Sequence, residues 1–303
     1  MAAGVSAGVL AAPLSSAAPS PPQFSAISFT TVVSGWVVGP GFIWHTTTSG
    51  RLWQHQYQGN VQFAGVDVAS TVAAYAWCGD SLLATTNVGR PWTPRYSGPA
   101  RVLSFTARSR TQGGYLVTSV GLLVTRNGGI TWTAVTHPRA ITAVRFLNAR
   151  QGWALTATDR VYRTTDGGSS WSLSFTLPDA HDADGQDGYG TGTLVVGAVS
   201  IVWVVFAGGV GMSQESYSVY HTSDAGARWK AVVAVAMGGG GRAPGAAGYG
   251  STGPKAGSAP VLLAAFGARS ALLLGVCRYC REGTAIVVKT SDAGRRWSSP
   301  APM

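Results

Sequence analysis

An eight-residue pattern occurs six times along the chain: TTTSGRLW at 46–53, TTNVGRPW at 85–92, TRNGGITW at 125–132, TTDGGSSW at 164–171, TSDAGARW at 222–229 and TSDAGRRW at 290–297. The starts are separated by 39, 40, 39, 58 and 68 residues. A period near 40 with two late insertions marks stacked supersecondary units, none of which can bury its apolar faces alone. Few folds accept such a repeat.

The repeat extends beyond the box. About 18 residues before each box tryptophan lies a second aromatic position, read as Trp36, Trp77, Tyr115 and Trp153, with Trp203 and Leu272 in the two longer units. Seven residues before that is an apolar site held by Phe29, Phe146 and Phe266. Ten of the eleven Trp are thereby placed, leaving Trp44. The fourth unit divides into short strands at about 141–147, 152–157, 160–165 and 170–176. Here they are termed A to D. Four antiparallel strands in about 40 residues form one propeller blade. The expectation is an all-β, six-bladed β-propeller, with seven blades as the alternative. The blades fall at about 24–60, 61–100, 101–140, 141–178, 190–236 and 259–303.

The composition of the box follows from turn chemistry. The third residue (Thr48, Asn87, Asn127, Asp166, Asp224, Asp292) offers a side-chain oxygen to the backbone N–H groups after it. The glycine supplies a positive φ. The tryptophan (Trp53, Trp92, Trp132, Trp171, Trp229, Trp297) packs its ring against the hairpin and offers its indole N–H to a nearby acceptor. An active site appears once; a motif at six equivalent turns is architecture. Thr48 replaces the acid in the first box and Asn in the next two.

These boxes resemble the Asp-box, or BNR repeat, of sialidases and many bacterial propellers. Units of the form F…GW…T.DGG..W look most similar to photosystem II assembly/stability factor-like propellers. The resemblance covers about residues 24–303. It implies the propeller fold; propellers of this kind host hydrolases, binding scaffolds and assembly factors alike.

Strand alternation puts the A–B turns and the C–D boxes on one face and the B–C and D–A connections on the other. The box face gathers Arg51, Arg90, Arg108, Arg110, Arg126, Arg150, Arg228, Arg269, Arg295 and Arg296. The net charge is +10, carried by 19 Arg and 3 Lys. Any partner of this face is anionic. None of the known basic, aromatic-studded nucleic-acid motifs is present, so no nucleic acid is expected. No apolar run is long enough to span a membrane.

The opposite face holds the irregular connections, where binding residues concentrate on repeat scaffolds. Its candidate binding arginines are Arg139, Arg160, Arg278 and Arg281. The insertion at 179–192 holds Asp179, Asp182, Asp184 and Asp187. The last three are candidate calcium ligands, although the run departs from the EF-hand pattern, and no bound metal is expected. A second insertion spans about 237–259. Cys277 and Cys280 flank a tight turn and suit a local disulfide in an exported protein; Cys78 is left as a lone thiol.

A sialidase-like glycoside hydrolase would need an arginine cluster, a tyrosine nucleophile paired with a glutamate, and an acidic proton shuttle. The early arginine signature of that group is missing, and the segment reads FSAISF. The candidates left are Glu215 and Tyr217, in the long B–C connection of the fifth unit. Residues 1–23 resemble the apolar and cleavage regions of a secretory signal without its basic start, and lie outside the fold. The chain reads as a monomeric, non-catalytic, extracytoplasmic scaffold for a protein or an anionic polymer, with no cofactor. The alternatives are a sialidase-like glycoside hydrolase and a photosystem II assembly factor.

Overall fold

Short runs of β-branched and aromatic residues, broken by Gly, Pro, Asn and Ser, become strands throughout. The computed structural model describes residues 24–31, 33–48, 50–108, 113–148, 150–178, 192–198, 200–211, 214–236, 258–266, 269–277, 284–298 and 301–302. Among them are six antiparallel sheets and no helix. The first comprises β1 (Ala26–Phe29), β2 (Gly35–Thr46) and β3 (Gln54–Gln62). The second comprises β4 (Gly65–Val68), β5 (Ala74–Cys78), β6 (Ser81–Thr85) and β7 (Thr93–Ser97). The third comprises β8 (Val102–Ala107), β9 (Gly114–Thr118), β10 (Gly121–Thr125) and β11 (Thr133–Val135). The fourth comprises β12 (Ile141–Phe146), β13 (Gly152–Thr156), β14 (Arg160–Thr164) and β15 (Ser172–Thr176). The fifth comprises β16 (Gly192–Ala198), β17 (Ile201–Gly211), β18 (Gln214–Thr222) and β19 (Lys230–Val235). The sixth comprises β20 (Ser258–Phe266), β21 (Ser270–Cys277), β22 (Thr284–Thr290) and β23 (Ala301–Pro302).

Every sheet pairs its strands in chain order. The first sheet has four strand segments, because β2 supplies two. Trp36 and His45 stack with ring centroids 4.0 Å apart, and Ser34 Oγ lies 3.3 Å from His45 Nε2. A straight strand would hold residues nine apart at roughly 30 Å. β2 therefore folds back on itself near Pro40 and Gly41, where Gly41 takes φ 78°.

The first strands of consecutive sheets touch one another, so they gather around a common axis as in a propeller. Burial falls outward from there. The second strands β9 and β13 are buried at every residue, while the outermost β11 and β15 are largely exposed. Five apolar cores fill the spaces between consecutive sheets, from Trp36, Phe63 and Ala76 between the first two to Trp203, Tyr217 and Leu273 between the last two.

Register corrects one reading. The residue paired next to the box threonine is Trp153 in the fourth unit, Trp203 in the fifth and Tyr115 in the third. In the second unit it is Tyr75, opposite Ala84. Trp77 sits two residues further along the same strand, so the repeat places nine tryptophans rather than ten. A second correction concerns the fifth unit. The run AGGVGMSQES is not a long loop: β17 and β18 continue through it as a hairpin, pairing Val210 with Glu215 and Gly211 with Gln214 across a bulge.

Candidate functional site

The boxes share one hydrogen-bonding scheme. In all six, the first threonine accepts the glycine N–H four residues on: Gly50 to Thr46 (3.0 Å), Gly89 to Thr85 (2.9 Å), Gly129 to Thr125 (2.8 Å), Gly168 to Thr164 (2.9 Å), Gly226 to Thr222 (2.9 Å) and Gly294 to Thr290 (3.0 Å). Each of these glycines has φ between 78° and 91°. In four boxes the threonine hydroxyl then donates to the third residue, at 2.8 Å in Thr164–Asp166 and 3.0 Å in Thr125–Asn127. That residue also accepts the N–H four positions later at 2.9 Å, from Leu52, Thr131, Ser170, Arg228 and Arg296. The second box is the exception, because Pro91 occupies the donor position and has no N–H.

These bonds hold the box acids ionised. Asp166 is lowered to about 2, first by the Ser170 hydroxyl, then by the Ser170 N–H and Thr164. Asp224 is lowered by the Arg228 N–H and Thr222, and Asp292 by the Arg296 N–H and Thr290. Both oxygens of Asp166, and Oδ1 of Asp224 and of Asp292, bond within their own turns. The same turns also bind the A–B turns beside them: Val88 N–H donates to Val72 O (2.9 Å), Gly167 to Arg150 O (2.8 Å), Ala225 to Ser200 O (3.0 Å) and Ala293 to Arg269 O (2.8 Å). Both sets of turns thus share a face.

The box tryptophans reach further than their own hairpins. Trp92, Trp132, Trp171, Trp229 and Trp297 each pack into the core shared with the preceding unit. Trp132 donates to Arg95 O (2.8 Å), Trp171 to Thr136 O (3.1 Å) and Trp229 to Ser174 Oγ (3.2 Å), all on or beside the last strand of that unit. The indole nitrogens of Trp92 and Trp297 are buried without a partner among the described residues. The box is therefore a joint between units as well as a turn.

Grooves open beside these joints. One of about 590 Å³ between the third and fourth units is lined by Arg108, Tyr115, Arg126, Thr136 and Asp166. Another of about 440 Å³ between the fifth and sixth is lined by His221, Asp224, Arg228, Lys230 and Arg295. Arg51, Arg90, Arg126, Arg150, Arg228, Arg269, Arg295 and Arg296 are all exposed on this face.

On the other face, Arg139 and Arg160 are exposed at a D–A and a B–C connection of neighbouring units. Arg278, Arg281, Cys280 and the acids Asp179, Asp182, Asp184 and Asp187 lie outside the described residues, as do the side chains of Cys277 and Glu215. Among the described residues no three His, Cys, Asp or Glu cluster to hold a metal. Tyr217 does not line a site: it is 1% exposed, within the core between the fifth and sixth sheets. A side chain closed off by that packing cannot attack a sugar, which removes the tyrosine from the candidate pair.

The innermost strands carry a network that belongs to none of the boxes. Asp67 Oδ2 accepts Ala107 N–H (2.8 Å), Arg145 Nη1 donates to Thr106 Oγ1 (2.7 Å), and Thr106 Oγ1 donates to Val144 O (2.5 Å). Burial raises Asp67, and the Arg145 charge opposes that shift. These residues stand 39 apart, at 67, 106 and 145, so the repeat itself held the signal. Asp159, with φ 55° in the B–C turn of the fourth unit, is raised to about 7 by burial.

No protein-family model matches the chain, and no curated protein does. Solved structures with the same architecture do. YCF48 bound to D1 peptide is similar at 14% identity and TM-score 0.56, over 92% of this chain and 82% of that one. The GH74 enzyme of Niastella koreensis is similar at 15% identity and TM-score 0.65, and the GH74 xyloglucanase of Xanthomonas campestris at 13% and 0.63. Each alignment covers 93% of this chain and 45% of the enzyme, so the chain spans less than half the length of either. At such identities the likeness is one of fold, and the chain is a β-propeller.

Proposed function

We propose that the chain is a non-catalytic, extracytoplasmic binding or assembly scaffold whose partner is an acidic protein segment or another anionic polymer. One observation carries the reading: the carboxylates of the box face are hydrogen-bonded within their own turns, while the arginines of those turns stand exposed around the grooves. Planar guanidinium groups suit carboxylate partners. Of the eight arginines exposed on this face among the described residues, the fourth to sixth units carry five, Arg150, Arg228, Arg269, Arg295 and Arg296. YCF48, a propeller of this architecture, was solved with a peptide bound, and a peptide partner belongs to the same reading.

The test uses polyglutamate as the probe. Binding to the intact chain is expected to weaken steeply as salt rises, and to fall several-fold in an Arg228→Ser/Arg295→Ser/Arg296→Ser variant. Salt-independent binding, or none, overturns the proposal. A panel of fluorogenic sialosides and other glycosides, with Glu215→Gln as control, is expected to show no turnover. Hydrolysis abolished by that substitution would establish the enzyme instead.

A further inference from the structure

The two halves of the box face differ. Residues 24–140 contain two acids, Asp67 on the inner wall and Asp80 in a B–C turn, so the box face of the first three units has no carboxylate. These are the units in which Thr48, Asn87 and Asn127 replace the box aspartate. The same three units hold large apolar side chains out to solvent at their turn tips. Leu52 is 70% exposed, Ile130 69%, Val33 and Val72 45% each and Val88 37%. The box face of the fourth to sixth units shows no such side chain among the described residues. There Ser170, Arg228 and Arg296 stand where Leu52 does, and Arg150 stands where Val33 and Val72 do.

Scattered exposed apolar residues are ordinary. Here the backbone is fixed. Leu52 N–H donates to Thr48 Oγ1 (2.9 Å), Val33 to Thr31 Oγ1 (3.3 Å), Val72 to Ser70 Oγ (3.3 Å) and Val88 to Val72 O (2.9 Å). Val88 adds an independent sign. Its φ is 51°, a region costly for a β-branched residue, at a position where other boxes place Gly128, Gly167, Ala225 and Ala293. An exposed valine under strain is not what turn chemistry selects.

We propose that the box face of the first three units docks on an anionic lipid bilayer. Leu52, Ile130, Val33, Val72 and Val88 enter the interface while Arg51, Arg90 and Arg126 meet the headgroups. Apolar area combined with cationic charge is what peripheral membrane binding requires. The absence of carboxylates on this half removes the repulsion that the box acids would exert. No helix among the described residues is long and apolar enough to cross a membrane.

The test is co-sedimentation of the full chain with two kinds of vesicle, pure phosphatidylcholine and a phosphatidylcholine–phosphatidylglycerol mixture. Binding to the mixed vesicles and little to the neutral ones is expected. Leu52→Ser/Ile130→Ser removes apolar area without adding charge, and should weaken partitioning about tenfold or more while keeping the thermal midpoint and polyglutamate binding. Arg51→Ser/Arg126→Ser should weaken it too. Mixed vesicles left unbound overturn the proposal, as they would if this half takes a protein. So does unaltered binding by the Leu52/Ile130 variant, which would leave only a basic rim. Polyglutamate binding is read separately, so the lipid proposal and the scaffold proposal can fail independently.

Discussion

In four of the boxes one buried threonine hydroxyl serves two partners, accepting from the glycine and donating to the Asx oxygen. The acids so bound sit below the usual carboxylate range, so their contribution to stability is complete above about pH 4. It is lost as the pH falls through their lowered values, which for Asp166 is about 2. The first three boxes have no titrating group at that place. Hydrogen exchange between those pH values is expected to rise first at Ser170, Arg228 and Arg296 N–H and not at Leu52 or Thr131; equal loss across all five would contradict the assignment. Asp159 behaves in the opposite sense. Its folded value is raised to about 7, so the stability it gives is full below the unfolded carboxylate value and lost as pH rises through about 7. Asn tolerates φ near 55°, so Asp159→Asn should raise the thermal midpoint above pH 7 and leave it little changed near pH 4.

At the scale of the element, the boxes explain why some glycines are irreplaceable and others are not. A Cβ on Gly226 would lie 2.2 Å from Ser174 Oγ and 2.6 Å from the Trp153 ring, both in the preceding unit. A Cβ on Gly168 would meet nothing nearer than 3.5 Å. Both glycines have φ near 90°. Gly168→Ala should therefore lose about 1 kcal/mol for its backbone. Gly226→Ala should lose about 2–4 kcal/mol, since overlap is added. Urea unfolding measures the difference, and equal losses would show that the joint yields. The sequence made the turns legible because box residues bond within eight positions. It concealed the joint because Trp229 and Ser174 are 55 residues apart, with no pattern linking them. Tyr75 was hidden for a related reason: Trp77 is the larger residue, and register alone shows which of the two faces Ala84. The hairpin of β17 and β18 looks like a loop in sequence because Gly208, Gly209 and Gly211 carry no strand signal.

At the scale of the molecule, each core is shared by two consecutive units, so no unit is complete alone. Removing residues 258–303 would uncover Trp203, Val205, Tyr217 and Val233, which now face the sixth sheet. Such a truncation is expected to bind a dye for apolar surface and to aggregate, while the intact chain does neither; a soluble, dye-silent fragment would refute the shared-core description. The division of the box face was already written in the first three boxes, as the missing acids at Thr48, Asn87 and Asn127. What those boxes hold outward could not be read there, because a leucine in a turn looks the same in sequence whether it is covered or bare.

The joints also have a direction. From the second unit onward, each box tryptophan packs back onto the unit before it. A chain leaving the ribosome emerges from its first residue. Every new box then finds its landing strand already made, and nothing laid down earlier must be reopened to admit it. Assembly can keep pace with synthesis, one unit behind the next, so that a pause in translation would leave a shorter stack whose newest face is raw.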